Sequence, residues 1–80
     1  MPEIPLGSID RIIRKSGTSR VNLESSFALR EILEEIGNEI STISLSLSKH
    51  RNQQIVTKDD IRLAYSMYKE KMKQSGSNIS

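Results

Sequence analysis

The chain has 80 residues, one histidine, no cysteine and a formal net charge of +2. Because a chain this short often needs a disulfide, a metal or a partner to complete its core, the absence of cysteine excludes disulfides and the common zinc sites and leaves oligomerisation. No apolar run approaches the ~18 residues of a membrane span, and the N-terminus lacks the basic region of a signal peptide, so a soluble, intracellular protein is predicted.

The first predicted element is a short helix from Pro5 to about Lys15. Proline suits the first turn of a helix, and Gly17 suits the position after its end. One side of this helix is apolar and consists of Leu6, Ile9, Ile12 and Ile13. The other side is basic, with Arg11, Arg14 and Lys15, so the helix can pack on a neighbour and still present positive charge outward.

The central element is a long amphipathic helix from about Asn22, a suitable N-cap, to Lys49. Its apolar residues recur at steps of three and four and form one stripe about 100° wide. The residues of this stripe are Leu29, Ile32, Leu33, Ile36, Ile40, Ile43 and Leu47. A helix of roughly 28 residues is about 42 Å long, which exceeds the width of so small a globule. The stripe therefore predicts a dimer core rather than a monomer.

The opposite face of the long helix is apolar only at its two ends. Leu23 and Phe27 lie at one end and Leu45 at the other. The middle of this face is polar and consists of Glu31, Glu34, Asn38 and Ser41. This pattern predicts that one short helix packs on each end.

The last predicted helix begins near Thr57, whose hydroxyl can cap it while Asp60, three residues on, completes a capping box. Its apolar stripe consists of Ile61, Ala64, Tyr65, Tyr68 and Met72. Residues 73–80 are polar and contain glycine and serine, which predicts a flexible tail. The folded domain is therefore expected to span residues 1–72.

The charges are unevenly distributed along the chain. Residues 1–20 carry +2, residues 21–48 carry −4, residues 49–58 carry +3 and the remainder carries +1. Positive charge thus collects at both ends of the long helix. Such clustering also occurs on ordinary solvated helix faces, so by itself it is a weak indication of nucleic-acid binding.

The order of a short, a long and a second short helix, with basic loops at both ends of the long one, resembles the histone fold. Separate motifs resemble those of tailless archaeal histones in the same order. These motifs are GSIDRIIRK at residues 7–15, GTSRV at 17–21, ILEEIG at 32–37, LSKH at 47–50 and VTKDDIRLA at 56–64. The resemblance covers residues 4–69 without a gap. It implies an all-α histone fold in which two chains form an intertwined dimer that binds double-stranded DNA.

The resemblance also implies which residues contact DNA. Arg11 and Arg14 correspond to phosphate-facing residues of the first helix, and Arg20 corresponds to the arginine that the first loop sends into the minor groove. Phosphates attract lysine and arginine regardless of base sequence, and a minor-groove arginine permits bending without base contacts. Lys15 matches no family contact but shares the basic side of the helix.

The loop before the last helix departs from the archaeal histone pattern. The family usually has arginine, lysine and threonine where this chain has Gln53, Gln54 and Ile55. The missing arginine would pair with Asp60, and the other two residues would contact phosphates. Arg51 and Lys58 are expected to compensate. The DNA contacts expected from this loop are therefore Arg51, Gln54, Ile55 and Lys58.

The single histidine, His50, supports neither a metal site nor catalysis, because no cysteine or clustered carboxylate accompanies it in the sequence. In archaeal histones the positions of Leu47, His50, Asp60 and Leu63 join one dimer to the next, and all four match here. Independently of the resemblance, Leu63 and Met67 lie off the main stripe of the last helix, on the side of Asp60, which indicates a second interaction surface.

The favoured interpretation is an architectural chromatin protein of the nucleoid that dimerises, wraps or compacts DNA largely without sequence specificity, and stacks into tetramers or longer assemblies. The alternative is a histone-fold subunit that forms a heterodimer within a transcription or replication complex, which the altered loop would suit. An enzyme is disfavoured because the sequence has no nucleophile–base constellation, glycine-rich phosphate loop or metal-ligand spacing. No cofactor is expected.

Overall fold

The computed structural model describes residues 3–77 and, within them, the side chains of residues 3–74. This part of the chain contains three helices and no strand: α1 (Leu6–Lys15), α2 (Leu23–His50) and α3 (Lys58–Ser77). The predicted all-α order of helices is confirmed, and both ends of α1 and α2 lie within one residue of the prediction. None of the three helices is long and apolar enough to cross a membrane.

Local signals set the boundaries between α1 and α2. At the end of α1, the Ser16 hydroxyl donates to the Ile13 carbonyl at 2.6 Å, and Gly17 adopts a φ of +115°. This left-handed backbone region favours glycine. The chain then passes through loop 1, residues 16–22. Asn22 caps α2 as predicted, since its Oδ1 accepts a hydrogen bond from the Ser25 N–H at 2.8 Å.

The chain divides into two compact units, Met1–Gly37 and Asn38–Ser80, each of which includes about half of α2. In the first unit Ile9 of α1 is fully buried, whereas Ile12 remains exposed. The segment before α1 is attached to α2, because the Ile4 N–H donates to Glu34 Oε2 at 2.9 Å. A Glu3–Arg30 ion pair of 2.9 Å adds to this attachment.

In the second unit α3 packs on the C-terminal half of α2. Ala64 of α3 is fully buried, and α2 contributes the fully buried Ser44 and Ser48. The Ser44 hydroxyl donates to the Ile40 carbonyl at 2.8 Å and lies 3.4 Å from the Asp60 carbonyl. The hydroxyl is thus satisfied partly within its own helix and partly by α3, as a buried polar group requires.

The prediction that Leu23, Phe27 and Leu45 receive the short helices is wrong. These side chains remain 43–62% exposed. The buried residues of α2 are instead three serines, Ser26, Ser44 and Ser48. Serine is small, so a neighbouring backbone can approach the helix closely, and its hydroxyl can bond to the carbonyl one turn earlier.

Helix α3 continues to Ser77, five residues beyond the predicted end of the folded domain at Met72. Lys73 and Gln74 are good helix formers. In addition, the exposed side chain of Lys71 forms a 3.0 Å ion pair with Glu39 of α2. The predicted flexible tail is therefore helical as far as residue 77, and residues 78–80 lie outside the described residues.

Candidate nucleic-acid interface

Arg14 connects α1 to loop 1. Its Nε donates to Asp10 Oδ2 at 2.8 Å, and its Nη1 donates to the Ser19 carbonyl at 2.8 Å. The pair with Asp10 joins residues one turn apart on an exposed helix face, which contributes only a few tenths of a kcal/mol. The bond to Ser19 is the more informative one, because it fixes the path of loop 1. Arg14 therefore positions the loop and still presents a partly exposed guanidinium.

Arg20 is fixed through its backbone and not through its side chain. Its N–H donates to Thr18 Oγ1, and the Thr18 hydroxyl donates to the Arg20 carbonyl, both at 3.1 Å. Within the described residues no ion pair engages the guanidinium of Arg20 or of Arg11, and both side chains are exposed, as is Lys15. The first unit thus combines an ordered loop backbone with cations that are open to an anionic partner.

Loop 2, residues 51–57, is held by the buried Ser48. Ser48 Oγ lies 3.0 Å from the Gln53 carbonyl and 3.1 Å from the Ile55 carbonyl, within donating distance of both. The Gln53 N–H in turn donates to the Ser48 carbonyl at 3.0 Å. Asn52 adopts a φ of +57°, a left-handed conformation that asparagine tolerates better than most residues. These contacts fix the loop backbone before any ligand binds.

Sequence reasoning missed both Ser48 and Asn52. A buried serine does not appear in an apolar pattern, so its role depends on tertiary contacts that the sequence does not display. The turn at Asn52 could have been predicted, because asparagine is a recognised turn residue and follows the end of a helix.

Arg51 pairs with Asp60, the carboxylate that the arginine missing from loop 2 would have bound. Its Nη2 lies 2.7 Å from Asp60 Oδ2, and the same oxygen accepts the Thr57 N–H at 2.9 Å. The Asp60 N–H donates to Thr57 Oγ1 at 3.2 Å, which completes the predicted capping box. The Asp60 side chain is only 5% exposed, whereas that of Arg51 is 46% exposed.

These contacts lower the pKa of the Asp60 carboxyl below its usual value. The hydrogen bond from the Thr57 backbone is the largest cause, and the Thr57 side chain and the Arg51 charge act in the same direction. Burial opposes them, because it disfavours a charged carboxylate. The carboxylate is therefore the stable form at neutral pH, and it links the end of α2, loop 2 and the first turn of α3.

The outer side of loop 2 is nearly neutral. Gln53 and Gln54 are exposed, and Ile55 is 73% exposed. Arg51 is engaged with Asp60. Lys58, the first residue of α3, is the other cation expected to contact DNA in this region, and it has no ion pair among the described residues. Loop 2 consequently offers phosphates less charge than loop 1 and α1 do.

The residues expected between dimers differ in exposure. His50 and Leu63 are exposed, and Leu47 is half-buried. Asp60 is buried, and its Oδ2 already accepts two hydrogen bonds from within the chain. The Asp60 side chain therefore lies beneath the surface expected between dimers and does not project from it. No group of three or more histidine or acidic side chains in the described part of the chain could hold a metal ion.

The apolar stripe of α2 has no complete cover within the chain. Among the described residues, Ile9 and Ala64 are the only fully buried apolar side chains. Ile32 of the stripe is half exposed, and its other residues are intermediate in exposure: Leu29, Leu33, Ile36, Ile40, Ile43 and Leu47. Burial of apolar surface is the main favourable term in folding, so two buried side chains are too few to stabilise a domain of this size. The stripe therefore needs a surface outside the single chain.

Known proteins match this chain over most of its length. The family described as histone-like transcription factor (CBF/NF-Y) and archaeal histone matches residues 2–65. A subunit of the archaeal histone HAN1 from Thermococcus zilligii is 39% identical over 64 residues, which cover 80% of this chain and 96% of that relative. Probable archaeal histone 3 of Methanocaldococcus jannaschii is 36% identical over 64 residues, with the same two shares.

The family match agrees with the order of the helices and with the exposed arginines. Archaeal histones are structural DNA-binding proteins of chromatin, and the fold that they share has a long central helix between two others. The chain has this histone fold, and it belongs to the family of histone-like transcription factors and archaeal histones.

Proposed function

We propose that the protein is an architectural chromatin protein that forms a homodimer, binds double-stranded DNA largely without sequence specificity, and bends or wraps it. The observation that carries this proposal is the uncovered apolar stripe of α2. The α2 helix of a second copy, crossing this one, would cover the stripe. By two-fold symmetry, the stripe of the second copy would be covered in the same way. The proposed dimer core consists of Leu29, Ile32, Leu33, Ile36, Ile40 and Ile43.

Basic residues of α1 and loop 1 are proposed to bind the DNA backbone. Arg11 and Arg14 would contact phosphates, with Lys15 beside them, and such contacts carry no base specificity. Arg20 would enter the minor groove, where a narrow groove has an enhanced negative potential that attracts arginine. The exposure of these side chains and the fixed backbone of loop 1 support this assignment.

Loop 2 is proposed to contact DNA more weakly. Lys58 would contribute positive charge. Gln54 and Ile55 would contact the DNA backbone but, because they are uncharged, would not neutralise its phosphates. Arg51 would act mainly through Asp60, by holding the loop in place. We therefore expect loop 2 to contribute less than loop 1 to the salt dependence of DNA affinity.

Dimers are further proposed to stack on DNA into tetramers or longer assemblies in the nucleoid. Leu63 and His50 are exposed and Leu47 is half-buried, so these side chains are available for a contact between dimers. Asp60 would shape this surface through the backbone of α3, because its side chain is buried and its Oδ2 accepts hydrogen bonds from within the chain.

A nuclease protection experiment tests this function. Purified protein is bound to a long duplex and digested, and we expect protected fragments whose lengths increase in regular steps as dimers are added. Sedimentation of the same protein checks that it is dimeric under those conditions. Absence of any protected fragment at concentrations where the protein is dimeric would overturn the proposal.

The second candidate function is a histone-fold subunit that forms a heterodimer with a different chain. The neutral outer side of loop 2 and the high exposure of Ile55 favour it, and the relative from Thermococcus zilligii is itself named as one subunit of a histone. This function predicts that the purified chain remains monomeric or insoluble by itself and binds duplex DNA weakly.

A further inference from the structure

The peptide group between Ser19 and Arg20 in loop 1 is hydrogen-bonded on both sides. The Ser19 carbonyl accepts from Arg14 Nη1 at 2.8 Å, which attaches this peptide group to α1. The Arg20 N–H donates to Thr18 Oγ1 at 3.1 Å. Rotation of the peptide group would break one of these two contacts. The group therefore keeps one orientation relative to α1, although it lies in an exposed loop.

The Thr18 hydroxyl contacts Arg20 a second time. It donates to the Arg20 carbonyl at 3.1 Å, so one side-chain oxygen is bonded to both backbone polar groups of the same residue. Threonine forms local bonds of this kind to the backbone two residues on. A change in either backbone dihedral of Arg20 would lengthen one of the bonds. The direction of the Arg20 Cα–Cβ bond is therefore fixed, while its guanidinium has no ion pair among the described residues.

These two bonds to Arg20 are the hydrogen bonds of the Thr18 hydroxyl within the described part of the chain. The Thr18 side chain is exposed, so it adds nothing to the buried core. An exposed hydrogen bond contributes little to stability, because water can replace either partner. The hydroxyl thus restrains Arg20 and is not required for the packing of α1.

We infer that Thr18 is a positioning residue, whose hydroxyl holds the backbone of Arg20 so that the guanidinium is directed toward the minor groove before DNA binds. This inference rests on the proposed function, in which Arg20 enters that groove. Binding carries a free-energy cost for ordering loops and side chains, and a loop that is already ordered avoids part of this cost. Thr18 therefore raises DNA affinity and bending without neutralising a phosphate itself.

Thr18→Val tests the inference, because valine has nearly the shape of threonine but no hydroxyl. Its affinity for an A·T-rich duplex should fall about threefold to tenfold, which corresponds to ordering roughly one more group on binding. Bending, measured by energy transfer between the labelled ends of a duplex, should decrease. The salt slope should change less than in Arg11→Ala, because threonine is uncharged.

Two further variants control for the loss of a hydroxyl. Thr18→Ser keeps the hydroxyl and should bind and bend DNA like the parent. Ser19→Ala removes the adjacent exposed hydroxyl but leaves the carbonyl that Arg14 binds, so it should also resemble the parent. Melting temperature and helix content check the fold. If Thr18→Val is misfolded by these measures, Thr18→Ala takes its place in every comparison.

A double-mutant cycle with Arg20→Ala shows whether Thr18 acts through Arg20. If it does, Thr18→Val should change the affinity of the Arg20→Ala protein by less than about twofold. An equal loss in both backgrounds would overturn the inference, because the hydroxyl would then act on DNA by itself. Equal behaviour of Thr18→Val and Ser19→Ala would overturn it as well and leave the role of Arg20 intact. An Arg20→Ala protein that binds and bends DNA like the parent would overturn the proposed role of Arg20 and, with it, this inference.

Discussion

Arg51 and Asp60 form a 2.7 Å ion pair across loop 2, between the residue that follows α2 and the first turn of α3. Archaeal histones, by the resemblance described above, place the arginine of this pair where the present chain has Gln53. The left-handed turn at Asn52 and the return of the Gln53 N–H to α2 accompany the altered arrangement. The aspartate thus keeps an arginine partner, while the outer side of the loop loses its charge.

Acid should weaken the attachment of loop 2 to α3. The folded protein lowers the pKa of Asp60, so the stabilisation is fully present above the pKa of an unfolded aspartate, about 3.9, and is lost as pH falls through the lower folded value. Asp60→Asn should reduce the melting temperature at pH 7 and flatten its decrease below about pH 4. Thermal melts at fixed protein concentration measure this effect. Asp59→Asn is the exposed control, and equal acid sensitivity in both variants would contradict the prediction.

The dimer core should respond strongly to lost volume. Replacing Ile36 or Ile40 with alanine should reduce the free energy of unfolding of the dimer by about 2–5 kcal/mol per chain, as large-to-small core changes do. The melting temperature of the parent should also rise with protein concentration, because dimerisation stabilises the folded state by mass action. Thr42→Ala, on the exposed side of α2, should have little effect. A melt independent of concentration, together with a monomer mass, would exclude the dimer.

Several features of the fold could be predicted because they depend on short stretches of sequence. The Asn22 cap, the Thr57–Asp60 capping box and the stop at Gly17 each involve residues no more than three positions apart. The faces on which α1 and α3 pack could not be predicted in the same way. The buried residues of α2 include Ser44 and Ser48. A search for apolar patterns does not distinguish these serines from exposed ones.

The candidate site could be predicted only in part from charge. Arg51 and Lys58 were both expected to compensate for the missing arginine, and the structure pairs Arg51 with Asp60. The bond from Arg14 to the Ser19 carbonyl did not follow, because it depends on the path of the loop backbone. The family resemblance predicted that Arg14 contacts DNA. The structure shows that the same side chain also positions loop 1.

Assembly beyond the dimer should depend on Leu63. This side chain is 52% exposed, so Leu63→Glu should leave the dimer folded while opposing a contact between dimers through the cost of burying a charge. We expect nuclease protection to be limited to the shortest fragments. Asn38→Glu introduces the same side chain at an exposed position in the middle of α2 and serves as the control. A fragment ladder for Leu63→Glu that equals that of the parent would place the contact elsewhere.

The α1 arginines should determine the salt dependence of DNA binding. Each neutralised phosphate contributes about −0.9 to the slope of log affinity against log salt, and a dimer presents Arg11 twice, so Arg11→Ala should flatten the slope by up to about 1.8. The loss of affinity should be similar for all duplex sequences.

Arg20→Ala should instead reduce DNA bending and weaken binding to A·T-rich duplexes most, since their narrow minor groove attracts arginine. Fluorescence anisotropy across a salt series and a bending assay measure the two effects, and identical behaviour of the two variants would contradict these separate roles.

Restoring a charge to loop 2 tests whether this loop faces DNA. Gln54 is exposed on the outer side of the loop, where archaeal histones usually have a lysine. If this side lies along the phosphates, Gln54→Lys should strengthen duplex binding at low salt and steepen the salt slope by up to about 1.8 per dimer. Ser66→Lys adds the same charge on α3 and controls for net charge, which by itself attracts DNA through long-range electrostatics. If Gln54→Lys gains no more affinity than Ser66→Lys, loop 2 does not lie against phosphate, and its exposed Ile55 is better explained by a protein partner.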